Sequence, residues 1–233
     1  MEGVWDKKAR EELQCFLADV GRLYQGLLRN EEEQKVRNFK KIFHIQQVIR
    51  ELEQRRTSFE IKSYVPKTKP VCEGLKPKAE KKVPGVLREG EKILEFFLNH
   101  QGKLCWQHGY ESLPKALEKN FAFGEVLGAE APIPPKNITL GFVLLSPGTH
   151  YPKHVHQGVD ELYINIGASC EINGVKVPPG GSYYVFSGAP HGVQVSEKEM
   201  GILMYTWTFP KGAPGNYEMR FVEEKPRGQT LEV

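Results

Sequence analysis

In the first half of the chain, apolar residues recur every three or four positions. Leu13, Phe16, Leu17, Val20, Leu23, Tyr24 and Leu27 form one stripe, and Ile42, Phe43, Ile45, Val48, Ile49 and Leu52 a second. That is the 3.6-residue period of amphipathic helices, whose apolar faces serve as core or as an oligomer surface. Asn30, followed by Glu31, Glu32 and Glu33, predicts a helix start: an N-cap with acids where the helix dipole favours them. Two shorter helices are predicted over residues 87–98 and 110–117. Residues 62–84 lie between, with seven Lys and four Pro against Glu73 and Glu80, the composition of a solvated connector.

From about Phe121 the period changes. Short runs rich in Val, Ile, Tyr and Thr follow one another, punctuated by Gly and Pro: NITLGFVLL, ELYINI, SCEING, GVKV, SYYVF, GVQV, GILMYTWTF and YEMRFVEE. Such spacing predicts an all-β sandwich or barrel. The chain therefore reads as α+β, with a helical region over residues 1–118 and a β domain over 119–233.

Composition excludes more than it adds. The 233 residues are 39% hydrophobic and 26% charged, with nine Tyr and twelve Phe, as expected of a folded globular protein. No run approaches the ~20 apolar residues of a membrane span. The N-terminus is charged within six residues, which argues against a secretory signal and for the cytoplasm. A formal charge of +3 is too small to favour nucleic acid. Cys15, Cys72, Cys105 and Cys170 form no CxxC pair, so free thiols are expected.

The densest chemistry is HYPKHVHQGVDELY, residues 150–163. His154 and His156 are two apart on an expected strand, so both imidazoles leave the same face. Glu161 and Tyr163 are likewise co-facial, after a short QGVD turn expected to bring the second strand back beside the first. His191, delivered by the turn residues Gly188 and Pro190, supplies a further nitrogen. Three imidazoles and a carboxylate suit Zn(II), Fe(II), Mn(II) or Ni(II), with positions left open for catalysis. His44, His100, His108 and His150 lack such company and are read as structural. In GILMYTWTF, Leu203, Tyr205, Trp207 and Phe209 share one face and Met204, Thr206 and Thr208 the other. Tyr183 and Tyr184 are adjacent, so only one can face inward.

The spacing Gly148-x5-His154-x-His156-x4-Glu161-x5-Gly167, followed by Gly180-x5-Phe186-x-Gly188-x2-His191, resembles the paired motifs of the cupin superfamily. It departs from them in having Phe186 where proline is usual, and in a first motif one residue short before its closing glycine. The short spacing leaves Asp160 as an alternative acid; Glu161 is preferred, because Asp160 would point to the opposite face. Tyr151, three residues before His154, and Tyr163, two after Glu161, make the stretch similar to the dimethylsulfoniopropionate (DMSP) lyases of that superfamily. The resemblance implies a C-terminal cupin β-barrel (a double-stranded β-helix or jelly roll) with an N-terminal helical extension. It further implies a divalent metal held by His154, His156, Glu161 and His191, Tyr151 as base and Tyr163 as a metal-proximal phenol. The expected reaction is β-elimination of DMSP to dimethyl sulfide and acrylate. Tyr205 and Trp207 would then bind the sulfonium by cation–π attraction, with plain core packing as the other reading of that face. The same ligand set also serves cupin isomerases and Fe(II) dioxygenases acting on other small carboxylates, and non-catalytic metal-binding cupins. The expected partner is a small molecule, with a homo-oligomer compatible with the helical half.

Overall fold

The computed structural model describes residues 4–35, 37–56, 58–75, 88–209 and 217–222. The helical stripes become α1 (Lys7–Glu32), α2 (Phe39–Arg55) and α3 (Arg88–His100). The predicted boundary at Asn30 is absent, because α1 runs through it to Glu32. The caps lie elsewhere. Asp6 accepts from the Ala9 N–H at 2.8 Å and Asn38 from the Lys41 N–H at 3.1 Å, each satisfying a donor that the first helical turn leaves free. Phe43, assigned to the buried stripe of α2, is 57% exposed; His44 faces the core in its place. No helix forms over 110–117, where only a 3-10 turn, Lys115–Leu117, follows Pro114. Gly109, at φ 73°, has already turned the chain out of the helical region there.

The connector's first part is docked. Lys67 forms a parallel bridge with Cys105, and the 3-10 turn Pro70–Gly74 buries Val71 and Cys72. Residues 76–84 of that connector lie outside the described residues.

Eleven strands are found among the described residues: β1 (Trp106–Gln107), β2 (Phe121–Leu127), β3 (Ile138–Leu145), β4 (His150–Gln157), β5 (Asp160–Asn165), β6 (Cys170–Ile172), β7 (Val175–Val177), β8 (Ser182–Val185), β9 (His191–Val195), β10 (Gly201–Thr208) and β11 (Glu218–Phe221). They make a six-stranded sheet of order β1-β2-β3-β10-β5-β8 and a five-stranded sheet of order β11-β4-β9-β6-β7. The QGVD turn therefore does not close a hairpin. β4 lies in one sheet and β5 in the other, so the turn carries the chain across the gap between them.

Both faces of the six-stranded sheet are buried, which is why β2, β3 and β10 read as nearly continuous apolar runs. Ile138, Leu140, Phe142, Leu144, Ile202 and Met204 point outward into one core with Leu13, Phe16, Val20, Ile45 and Phe97 of the helices. Leu203, Tyr205 and Trp207 point inward, with Tyr163, towards Tyr151 and Val193 of the five-stranded sheet. Helices, large sheet and small sheet are thus stacked layers, and the polar side chains of interest lie between the two sheets.

β10 joins the layers by hydrogen bonds as well as packing. On its outer face the Thr206 hydroxyl meets Tyr24 of α1 at 2.6 Å and His44 Nε2 of α2 at 2.8 Å, while the Thr208 hydroxyl meets His44 Nδ1 at 3.0 Å. Both nitrogens of His44 are occupied and its ring is buried. Burial pushes its pKa from 6.5 down to about 3, opposed in part by the Glu161 carboxylate. Below pH 6.5 the unfolded chain therefore takes up a proton that the folded one refuses, and stability falls with pH until about pH 3. His44→Gln should remove this loss: between pH 7 and 5 the variant should lose about 2 kcal/mol less unfolding free energy than the parent protein in urea titrations, and equal losses would contradict the assignment.

Candidate metal centre

β4 supplies the first wall of the centre, and a bulge decides what that wall displays. Its register against β9 pairs Tyr151 with Val193 and His154 with His191, three steps on β4 for two on β9. The extra residue falls at Pro152–Lys153, where Pro has no N–H to lose from the ladder. In an unbulged strand, Tyr151 and His154, three apart, would face opposite ways. The bulge brings them onto one side, where their rings stack with centroids 4.1 Å apart and planes 26° from parallel. Gly192 makes the bulge possible on the partner strand, because a Cβ there would lie 3.0 Å from the Tyr151 carbonyl oxygen and 3.2 Å from the Lys153 nitrogen.

His154, His156 and His191 are buried, and one ring nitrogen from each lies within 4.8 Å of the others. His154 Nδ1 lies 3.0 Å from the Pro152 carbonyl and His191 Nδ1 3.1 Å from that of Ala189. A carbonyl can only accept, so Nδ1 carries the proton in each ring and Nε2 presents its lone pair, the tautomer a metal takes. Burial, reinforced by His191 and His156, holds the His154 pKa well below the ordinary histidine value.

Glu161 comes from the opposite sheet. Its Oε2 lies 3.2 Å from both His156 Nδ1 and His191 Nε2. Burial alone would push this carboxyl up, but the two histidines outweigh it and hold it well below the usual carboxylate range. Oε1 accepts the Trp207 indole N–H at 2.8 Å. Asp160 faces away, accepting from the Tyr184 hydroxyl at 2.9 Å and the Ser187 N–H at 2.7 Å. Tyr183 is the inward member of the tyrosine pair and Tyr184 the outward one.

The donor set can be tested against a cation directly. Among the described residues, His154 Nε2, both ring nitrogens of His156 and Glu161 Oε2 are buried without a hydrogen-bond partner. The two 3.2 Å approaches lack hydrogen-bond alignment. Imidazole nitrogens and a carboxylate oxygen that converge without an aligned hydrogen bond are costly to bury, and a divalent cation removes that cost. The residues present therefore fit a metal ion.

The remaining predicted residues surround this point. The Tyr163 hydroxyl is 3.4 Å from His191 Nε2. Tyr205 lies over Gly141, whose missing side chain leaves room for the ring, and its hydroxyl is buried without a partner among the described residues. Trp207, predicted as a substrate contact, gives its one N–H to Glu161 and sets its ring 5.1 Å from that of His156. Burial first, then neighbouring tyrosines and Glu161, push the Tyr151 and Tyr163 phenols well above their ordinary value. One residue escaped sequence analysis. Tyr110, placed there in a helix, hydrogen-bonds the Tyr151 hydroxyl through its own. Gly109 directly before it was the available signal, marking a turn that could project an aromatic ring.

Helices over one sheet, a second sheet facing it and a buried three-histidine cluster between them define a cupin-fold protein with a metal site. The family model described as dimethylsulfoniopropionate lyase matches residues 43–201, and the chain belongs to that family. Over 108 residues it is 37% identical to a Cereibacter sphaeroides protein provisionally named dimethylsulfoniopropionate lyase DddL; the match covers 46% of this chain and 47% of that one. The chain thus spans about half the length of that curated relative. Among solved structures, the fold is similar to one reported with the DMSP lyases RdDddP and RnDddQII, at TM-score 0.62 and 15% identity over 92% of this chain and 99% of that one. It is also similar to DMSP lyase DddQ from Ruegeria pomeroyi, at TM-score 0.61 and 16% identity over 89% and 99% of the two chains. Among the described residues no helix is long and apolar enough to cross a membrane.

The Trp207 contact yields a test of the centre. Trp207→Phe keeps an aromatic ring but removes the donor that orients Glu161. Zn(II) affinity, measured by competition with a chelating dye, should fall about tenfold at unchanged stoichiometry. An unchanged affinity would separate Glu161 from the metal.

Proposed function

We propose that this protein is a metal-dependent carbon–sulfur lyase that cleaves DMSP to dimethyl sulfide and acrylate, with the two sheets forming the cupin barrel around the site. The observation that carries the reading is the bulge that sets Tyr151 on the same wall as the histidines, stacked on His154. A phenol is a useful base only if it can ionise, and beside a buried cation it can. His154, His156, His191 and Glu161 would hold Zn, Fe, Mn or Ni. When bound, such an ion supplies Lewis acidity, making the proton next to the substrate carboxylate more acidic and favouring a nearby phenolate.

The residues divide the remaining work. The Tyr151 phenolate takes the α-proton of DMSP, the C–H electron pair becomes the Cα=Cβ bond, and the Cβ–S bond breaks with its pair staying on sulfur. Neutral dimethyl sulfide and acrylate result, with the proton on Tyr151 and no change in oxidation state to be supplied from outside. Tyr205 and Trp207, whose ring centroids are 5.1 Å apart on the inner face of β10, would hold the sulfonium, each by about 0.5–2 kcal/mol of cation–π attraction. Their burial also keeps water from that end of the substrate.

A second assignment within the same reaction is favoured by one distance. The Tyr163 hydroxyl lies 3.4 Å from His191 Nε2, a nitrogen available to the metal, which makes Tyr163 the competing base. Headspace chromatography of dimethyl sulfide from protein loaded with each metal tests the reaction, and no gas with any of the four would overturn it. Tyr151→Phe should lower turnover at least about a hundredfold while leaving bound metal unchanged. If Tyr163→Phe causes that loss and Tyr151→Phe does not, the base is Tyr163.

A further inference from the structure

The ring of Tyr151 is fixed on both faces. Phe121 stacks on one side with centroids 4.5 Å apart, and His154 on the other at 4.1 Å. Packing of this kind sets the plane of a phenol but not the direction of its O–H, which turns about the C–O bond to suit its partners. Among the described residues that partner is Tyr110, whose hydroxyl meets that of Tyr151.

Tyr110 is itself held by features of its own. Gly109, at φ 73°, makes the turn before it, and a Cβ at Gly109 would lie 2.6 Å from the Phe123 ring. The Tyr110 ring then stacks on Phe221 of β11, with centroids 4.3 Å apart and planes 23° from parallel. Tyr110 and Phe221 both line a cleft of about 790 Å³ between residues 109–114 and 217–221. Tyr110 thus touches both this cleft and, through its hydroxyl, the buried Tyr151.

We propose that Tyr110 is a positioning residue for Tyr151: the hydrogen bond between the two hydroxyls ties the Tyr151 oxygen to one partner, and Tyr110 supplies the proton of that bond when Tyr151 is the phenolate that addresses the substrate. The role in turnover rests on the lyase reading above, whereas the orientation of Tyr151 does not. Tyr110→Phe removes the hydroxyl partner and keeps the ring that packs on Phe221. In metal-loaded protein carrying fluorotyrosine, the Tyr151 resonance, identified by its loss in Tyr151→Phe, should shift by more than its linewidth in Tyr110→Phe. It should stay in place in Ser112→Ala, a change on the same cleft wall. Dimethyl sulfide release by Tyr110→Phe should show kcat reduced about tenfold and KM changed less than twofold, the effect of losing one hydrogen bond to a reacting group. An unmoved resonance, an unchanged kcat in an active enzyme, or loss of metal from the variant would each overturn the proposal. A shifted resonance in a protein that releases no dimethyl sulfide with any metal would support the positioning role and overturn the lyase reading alone.

Discussion

The extra residue at Pro152–Lys153 is the constraint on which the centre depends. Without it β4 would display histidines on one face and Tyr151 on the other, and the phenol would lie outside the space between the sheets. The bulge is held from both sides: Pro152 has no ladder donor to lose, and Gly192 leaves room for the displaced backbone. Gly192 of β9 is therefore part of what builds this wall, although it carries no side chain. The Pro152 carbonyl also fixes the tautomer of His154, so a single irregularity aims the tyrosine and prepares the histidine.

The opposite wall works by a different logic. β10 is regular through its eight residues, and its alternation assigns each side chain a layer. Trp207 faces inward and holds Glu161, and its neighbours Thr206 and Thr208 face outward and hold His44. The carboxylate that meets two histidines and the helices that cover the sheet are thus positioned by adjacent residues of one strand. The wall that carries Glu161 and Trp207 is the one fastened to the helical layer.

How much of this could be read beforehand follows from the range of the interactions. Alternation within a strand is local, so the co-facial pair His154 and His156, the split of GILMYTWTF and the outward direction of Asp160 were all legible. Contacts between distant segments were not. Nothing in QGVD reveals that it crosses between sheets, and nothing in YESLPKAL reveals that Tyr110 answers to a residue 41 positions later. The bulge was hidden for a related reason, since it is defined only by the partner strand. The Asn30 boundary failed because the backbone ladder of α1 continues through it, the Glu33 N–H reaching the Arg29 carbonyl although acids near a helix C-terminus oppose the dipole, and the next cap is Asn38.

The outer face of the six-stranded sheet has a consequence for any attempt to treat the β region as a portable module. Ile138, Leu140, Phe142, Leu144 and Met204 form a wall as apolar as the interior, covered by the helices together with the docked segment that carries Val71 and Cys72. Stripped of α1 and α2, that wall would face water beside an orphaned Thr206 and Thr208, a broad greasy plane of the kind that drives chains to associate. The helical half is in this sense the solvent boundary of the half that carries the histidine cluster, and grafting or trimming has to respect the strand they share.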